Sequence, residues 1–325
     1  MTRLGYQIPN FTYPDTSPAE LFDVIARQAR EADESSFDTV LVMDHFFQLP
    51  MLGAPDENML ECYSLLSALA RETSVVRLGA LVTGNTYRNP AVLAKTVTTL
   101  DIVSGGRAQL GIGAGWFELE HDAFGIEFGT FTDRFEKLEE ALQVIIPLLR
   151  GERVTFAGDR YQIRDAFNSP APLSGIPVMI GGGGERKTLR MVAQYADESN
   201  LIAEAKEIPR KLEALDRHCA ELGRDRRAIT VSWQRNVCIA PTMEEANADL
   251  TAYLATRGMD LQAMSDQERG AINSMIVVGD PDTVGESLAA DLTVGVDGFT
   301  IAAPANGHVP GRVTLLGETA AKVVS

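Results

Sequence analysis

The chain has 325 residues, 45% hydrophobic and 23% charged, which is enough apolar content for a substantial core and leaves no compositional case for disorder. Asp and Glu outnumber Lys and Arg by 45 to 29, a net charge of −16 that repels phosphate backbones and anionic lipid and argues against nucleic acid or a membrane as partner. With no signal-peptide run, no stretch near the ~20 apolar residues of a membrane span, and three scattered cysteines (Cys62, Cys219, Cys238) that read as reduced packing residues, a cytoplasmic enzyme is the expectation.

Strand and helix signals alternate from end to end, the signature of a parallel sheet covered by helices. Residues 4–8 form a first strand, and Ser17-Pro18-Ala19-Glu20 has the composition of a capping box opening a helix that runs to about residue 32. The apolar run 39–43 is a second strand, and a Pro- and Gly-containing loop then leads to a helix over 61–73. Residues 78–82 are the third strand and 90–103 its helix; 108–112 are the fourth, followed by an amphipathic helix over 132–149. Residues 153–163 read as a small inserted hairpin. The fifth to eighth strands fall at 178–180, 200–202, 229–239 and 299–302, with helices from 185, up to 222 and from 243 between them. Residues 256–274 are polar and read as a second insertion, a candidate lid. Eight strands with intervening helices close more naturally into a barrel than into an open sheet, so the expected fold is a single α/β domain over residues 1–325, a (β/α)8 TIM barrel with insertions.

In such a barrel the functional groups stand where strands end, at the C-terminal face. The second strand ends in Asp44-His45-Phe46, an ionisable pair beside an aromatic, and a histidine there suits proton transfer near neutral pH. After the third strand, Thr83-Gly84-Asn85 offers hydrogen bonds and a close backbone approach. The fourth ends Gly111-Ile112-Gly113-Ala114-Gly115-Trp116. Trp116 stands where a dinucleotide fingerprint needs Gly or Ala, so the glycines read instead as room for a planar ligand with Trp116 as its wall. The fifth ends Gly181-Gly182-Gly183-Gly184-Glu185-Arg186-Lys187 at the start of a helix, and exposed backbone N–H groups with the helix dipole make phosphate the natural guest. Arg186 stands where a Walker A loop needs Gly. His45, His121, His218 and His308 are too scattered to form a metal site, so no metal is expected.

Together these segments resemble the luciferase-like monooxygenase family, the bacterial luciferase-like (β/α)8 flavin and deazaflavin oxidoreductases, and within it the F420-dependent oxidoreductase branch. The resemblance is carried by VMDHF at 42–46, RLGALVTGNTYRNPAVLAKTVTTLDIVSGGR at 77–107, LGIGAGWFELEHDAFGI at 110–126, DRFEKLEEALQVI at 133–145 and PVMIGGGGERKTL at 177–189, so it spans nearly the whole chain. It implies a cofactor ring at the barrel mouth, backed by a bulge with a non-prolyl cis peptide at Leu81-Val82 and with its phosphate on Gly181–Gly184. It further implies His45, with Asp44, as the acid–base group. The implied cofactor contacts are Asp44, Leu81, Val82, Thr83, Asn85, Gly113, Gly115, Gly181, Gly182, Gly183, Gly184, Arg186 and Lys187, with Trp116 and Phe46 towards substrate. Members are commonly homodimers.

Sugar-phosphate dehydrogenases of the branch carry a glutamate where this chain has Trp116, which shifts the expected substrate to a small apolar or aromatic molecule. The leading expectation is hydride transfer between reduced coenzyme F420 and such a substrate. An FMN-dependent monooxygenase on the same barrel is the nearest alternative, and a non-catalytic flavin- or deazaflavin-binding protein is the second.

Overall fold

A computed structural model describes residues 3–261 and 263–324. Eight parallel strands close on themselves: β1 (Leu4–Ile8), β2 (Thr39–Val42), β3 (Arg77–Ala80), β4 (Ala108–Gly113), β5 (Val178–Gly181), β6 (Glu198–Leu201), β7 (Thr230–Ile239) and β8 (Gly298–Ala302). Each pairs with the next, and β8 returns to β1 through Leu4 opposite Phe299 and Tyr6 opposite Ile301. This is the expected (β/α)8 barrel.

Period-two alternation divides each strand between two environments. Tyr6, Val40, Val42, Leu78, Leu110, Ile112, Val178, Ile180, Val231 and Phe299 belong to the main apolar core, in which they are packed with residues of the helices. The side chains between them enter the lumen, and several of them are polar rather than the branched aliphatics that usually fill it. Gln109 Nε2 donates to Glu198 Oε2 at 2.9 Å, Asn200 Nδ2 to Ser232 Oγ at 2.9 Å and Thr300 Oγ1 at 3.0 Å, and Gln234 Nε2 to Gln7 Oε1 at 2.8 Å. Leu41, Leu81, Val82 and Met179 form a small apolar cluster of their own.

Several boundaries move for identifiable reasons. The first helix begins at Leu21 rather than at Ser17, because the Ser17 hydroxyl donates to Glu20 Oε2 (2.7 Å) instead of capping a backbone N–H. β6 starts at Glu198, two residues before the apolar signal, since Glu198 finds its partner in Gln109 across the lumen. After the glycine turn the helix begins at Thr188, not at 185. A short helix, Glu118–Phe124, was not legible beforehand. Nor were strand Ile276–Gly279, which pairs with the end of β7, and helix Pro281–Leu292, capped by Asp280. The hairpin consists of Val154–Ala157 and Gln162–Ala166, and helix Asp266–Met275 begins within the expected insertion 256–274 and ends one residue past it.

The Leu81-Val82 peptide bond is cis, and the chain then re-pairs with β4 through Thr83 and Gly84 opposite Ile112 and Gly113. Three glycines around this bulge are occupied by it. A Cβ on Gly111 would lie 2.0 Å from the Ala80 carbonyl oxygen, one on Gly113 3.0 Å from Val82 Cγ2, and one on Gly181 2.8 Å from Val82 Cγ1. The room that the sequence offered to a planar ligand at Gly111 and Gly113 is therefore taken by the chain itself, and Val82 becomes the surface presented. Because the obstruction at Gly111 is backbone, Gly111→Ala is expected to destabilise the fold by about 1–3 kcal/mol or more, the range for overpacked cores. A urea denaturation midpoint equal to that of the unmodified chain would refute this.

Candidate active site

The loop after β2 carries His45, and its geometry depends on an acid that the sequence reading did not single out. Glu120, on the helix Glu118–Phe124, has a side chain 0% exposed. Its Oε2 lies 2.8 Å from His45 Nδ1 and accepts from Tyr87 OH at 2.5 Å. Its Oε1 accepts from the Phe47 N–H at 2.8 Å and from the Phe46 N–H. Burial pushes the Glu120 carboxyl up, but the hydrogen bonds from His45, Tyr87 and Phe47 outweigh it and hold the group below its ordinary range. The His45 ring retains 13% exposure, and its Nε2 has no hydrogen-bond partner among the described residues.

Asp44 is adjacent in sequence but has different surroundings. Its side chain is 1% exposed and forms a two-pronged pair with Arg88, Nη1 to Oδ2 at 2.6 Å and Nη2 to Oδ1 at 2.9 Å, while the Gly84 N–H donates to Oδ2 at 3.1 Å. Arg88 also reaches Glu61 at 2.6 Å. Burial pushes the Asp44 carboxyl up, and the guanidinium offsets part of that. Asp44 thus ties β2 to the segment after the bulge, a holding position that leaves it poorly placed for proton transfer at the mouth.

Aromatic rings surround His45. Trp116 is 55% exposed, stacks on Phe117 (5.2 Å between centroids, 25°) and meets His45 edge-on at 5.8 Å. Phe46 packs between Tyr87 and Phe124, each at 4.8 Å. His121 is fully buried, with Nδ1 on the Phe117 carbonyl at 2.8 Å and Nε2 on Thr86 Oγ1 at 2.7 Å, so it braces the wall from behind. Gly115 is close-packed too, since a Cβ there would meet Thr86 Oγ1 at 2.7 Å. Among the described residues no three His, Cys, Asp or Glu side chains gather as a metal site.

The remaining candidates fall into two groups. Thr83 is buried with its hydroxyl 2.6 Å from Tyr63 OH, and the buried Asn85 keeps an Oδ1 without a partner among the described residues. On the fifth strand end, Gly182 adopts φ +110° and donates its N–H to the Asn200 carbonyl at 3.1 Å, which accounts for glycine there. Gly183 carries a cation the sequence reading passed over: Lys211 Nζ sits 2.8 Å from its carbonyl oxygen. Arg186 is exposed, and Lys187 lies over the rings of Phe131 (5.3 Å) and Phe135 (5.4 Å), so both face the cleft beside helix Phe131–Leu149. His45, Trp116 and Phe46 thus form one cluster and the glycine turn with its cations a second. Thr83 turns to Tyr63, and Asn85 lies near the hairpin through Tyr161, its Nδ2 3.5 Å from that hydroxyl.

The luciferase-like monooxygenase family matches residues 2–298. An F420-dependent glucose-6-phosphate dehydrogenase of Microbacterium testaceum is 29% identical over 279 residues, covering 84% of this chain and 77% of that protein. The matches to three further relatives of the same name, at 32 to 37% identity, span only 51 to 55% of their length. Among solved structures, an F420-dependent secondary alcohol dehydrogenase in complex with an F420-acetone adduct superposes with a TM-score of 0.79 at 20% identity, covering 100% of this chain and 99% of that one. The oxygenating constituent of 3,6-diketocamphane monooxygenase from Pseudomonas putida, in complex with FMN, superposes with a TM-score of 0.76 at 18% identity, covering 99% and 98%.

Proposed function

The chain belongs to the luciferase-like monooxygenase family, and on that premise we propose that it is an F420-dependent oxidoreductase moving a hydride between the reduced deazaflavin and a small apolar or aromatic substrate. The observation that carries the reading is the imidazole of His45, tied at Nδ1 to Glu120, with Nε2 left without a partner among the described residues and with Trp116 and Phe117 edge-on to the ring. Relatives named for F420 support the choice of cofactor.

The residues present fit such a ring. Among the described residues Asn200 Oδ1 and Gln234 Oε1 are buried acceptors without partners, on side chains whose other atoms bond across the lumen, and acceptors of that kind suit the N–H of a pyrimidinedione. When bound, the cofactor supplies or accepts the hydride. The chain supplies the rest. Val82 backs the ring, and Gly183 with Lys211, Arg186 and Lys187 offers backbone N–H groups and positive charge to a phosphate and an acidic tail. Trp116 shapes the substrate side, and His45 Nε2 exchanges a proton with the substrate oxygen or nitrogen. Asp44 holds the loop through Arg88. The reading extends to one domain over the whole chain and to a homodimer in the cytoplasm. Among the described residues no helix is long and apolar enough to cross a membrane.

The second reading, an FMN-dependent monooxygenase, is favoured by the fold shared with the FMN-bound structure. Fluorescence titration separates the two. The deazaflavin is expected to bind more tightly than FMN, and Gly183→Val, crowding Lys211, to weaken it by at least about tenfold, or ~1.4 kcal/mol. Tighter FMN binding with oxygen-dependent turnover would favour the monooxygenase. Unchanged affinity in Gly183→Val would return the glycine run to an ordinary turn.

Trp116→Ala is expected to raise the substrate KM by about three- to tenfold with little effect on kcat, matching the ~0.5–1.5 kcal/mol of an aromatic contact. A KM unchanged across aromatic and polar substrates would remove Trp116 from the substrate site.

A further inference from the structure

We infer that Glu120 is a positioning residue that fixes the tautomer of His45, reserving Nε2 for the substrate. The inference deepens the oxidoreductase reading and rests on it for its catalytic consequence; its structural content stands without it.

Glu120 meets four groups at 2.8 Å or less: His45 Nδ1, the backbone N–H of Phe46, the backbone N–H of Phe47 and the Tyr87 hydroxyl. Two of these, the amides, can only donate. The Tyr87 hydroxyl also donates, since burial and the neighbouring carboxylate push its pKa far above the ordinary phenol value. An acid held ionised by such a set has no proton to give, so the proton between it and the imidazole belongs to Nδ1. A neutral ring then carries its lone pair on Nε2, ready to act as a base. A protonated ring carries an N–H there, ready to act as an acid, and both forms keep the bond to Glu120. The same carboxylate, through the amides of Phe46 and Phe47, fixes the backbone that follows His45, so ring orientation and proton location have one source. The arrangement parallels an aspartate that orients a catalytic histidine without taking its proton.

The test is an exchange of the carboxylate for an amide. In Glu120→Gln the side chain keeps one oxygen for the two backbone amides and turns an NH2 toward Nδ1, which can then only accept. Ring 15N shifts in 15N-histidine-labelled protein, with the His45 signals identified by their loss in His45→Gln, are expected to show an Nδ1-bound proton in the unmodified chain and an Nε2-bound proton in Glu120→Gln. Turnover should fall by about 10²-fold or more with cofactor affinity nearly unchanged. Tyr87→Phe removes one donor but no charge and should keep the proton on Nδ1. A neutral His45 carrying its proton on Nε2 in the unmodified chain, or an unaltered tautomer in Glu120→Gln, overturns the inference. If Glu120→Gln does not fold, the unmodified chain and Tyr87→Phe still decide it. Failure of the unmodified chain to bind the deazaflavin, with the proton found on Nδ1, would overturn the cofactor reading alone.

Discussion

His45→Ala is expected to lower turnover by roughly 10²–10⁴-fold, the usual worth of a positioned acid or base, while cofactor affinity changes little. Hydride transfer leaves charge on the substrate atom that must be met by a proton or a hydrogen bond, and the described residues offer few groups for this. Asp44 is committed to Arg88 and Glu120 to its four donors. Tyr87 donates to Glu120, and His121 is spent on Phe117 and Thr86. Among the described residues only His45 combines an unpartnered ring nitrogen with exposure at the aromatic wall. The loss should appear in kcat and in kcat/KM alike, because the contact forms at the reacting atom rather than in ground-state binding. Steady-state kinetics with a good acceptor decide the matter, and full turnover in His45→Ala would move the proton to water or to another side chain. Recovery of activity with added imidazole would locate the lost function in the ring itself.

The second large effect is on stability. Asp44→Ala strands the Arg88 guanidinium, whose side chain is 16% exposed, and removes the acceptor of the Gly84 N–H. Breaking a buried pair from one side costs about 3–5 kcal/mol, and the lower end applies here because Glu61 still meets Arg88. We expect a loss of about 3 kcal/mol in urea denaturation, read from the midpoint at unchanged slope. Asp44→Ala combined with Arg88→Met should recover part of it, since no buried unpaired charge then remains and the Glu61 side chain, 41% exposed, can turn to water. A single variant within about 1 kcal/mol of the unmodified chain would show that the pair contributes little, and would reopen a more direct role for Asp44.

The outward faces of the strands made the barrel legible. The short apolar runs around Val40, Leu78 and Leu110 are each followed by helix signals, and this alternation continues along the chain, so local patterning alone places eight units in order. His45, Trp116 and the glycine turn were also legible, because strand ends in a barrel converge wherever their sequences lie. The lumen was not. Glu198 and Gln109 look like surface residues until closure of the barrel brings them 2.9 Å apart. Glu120 was missed for the same reason: on a short helix its carboxylate resembles its solvent-facing neighbours, and only the fold delivers the four donors that keep it buried and ionised. The glycines at 111, 113 and 181 announce that something approaches closely, yet nothing local distinguishes a ligand from Val82. What the sequence determined by itself is the periodic burial that each segment carries within its own few residues. What only the tertiary structure decided is which polar group meets which, because a buried charge or glycine has a meaning set by partners tens of residues away.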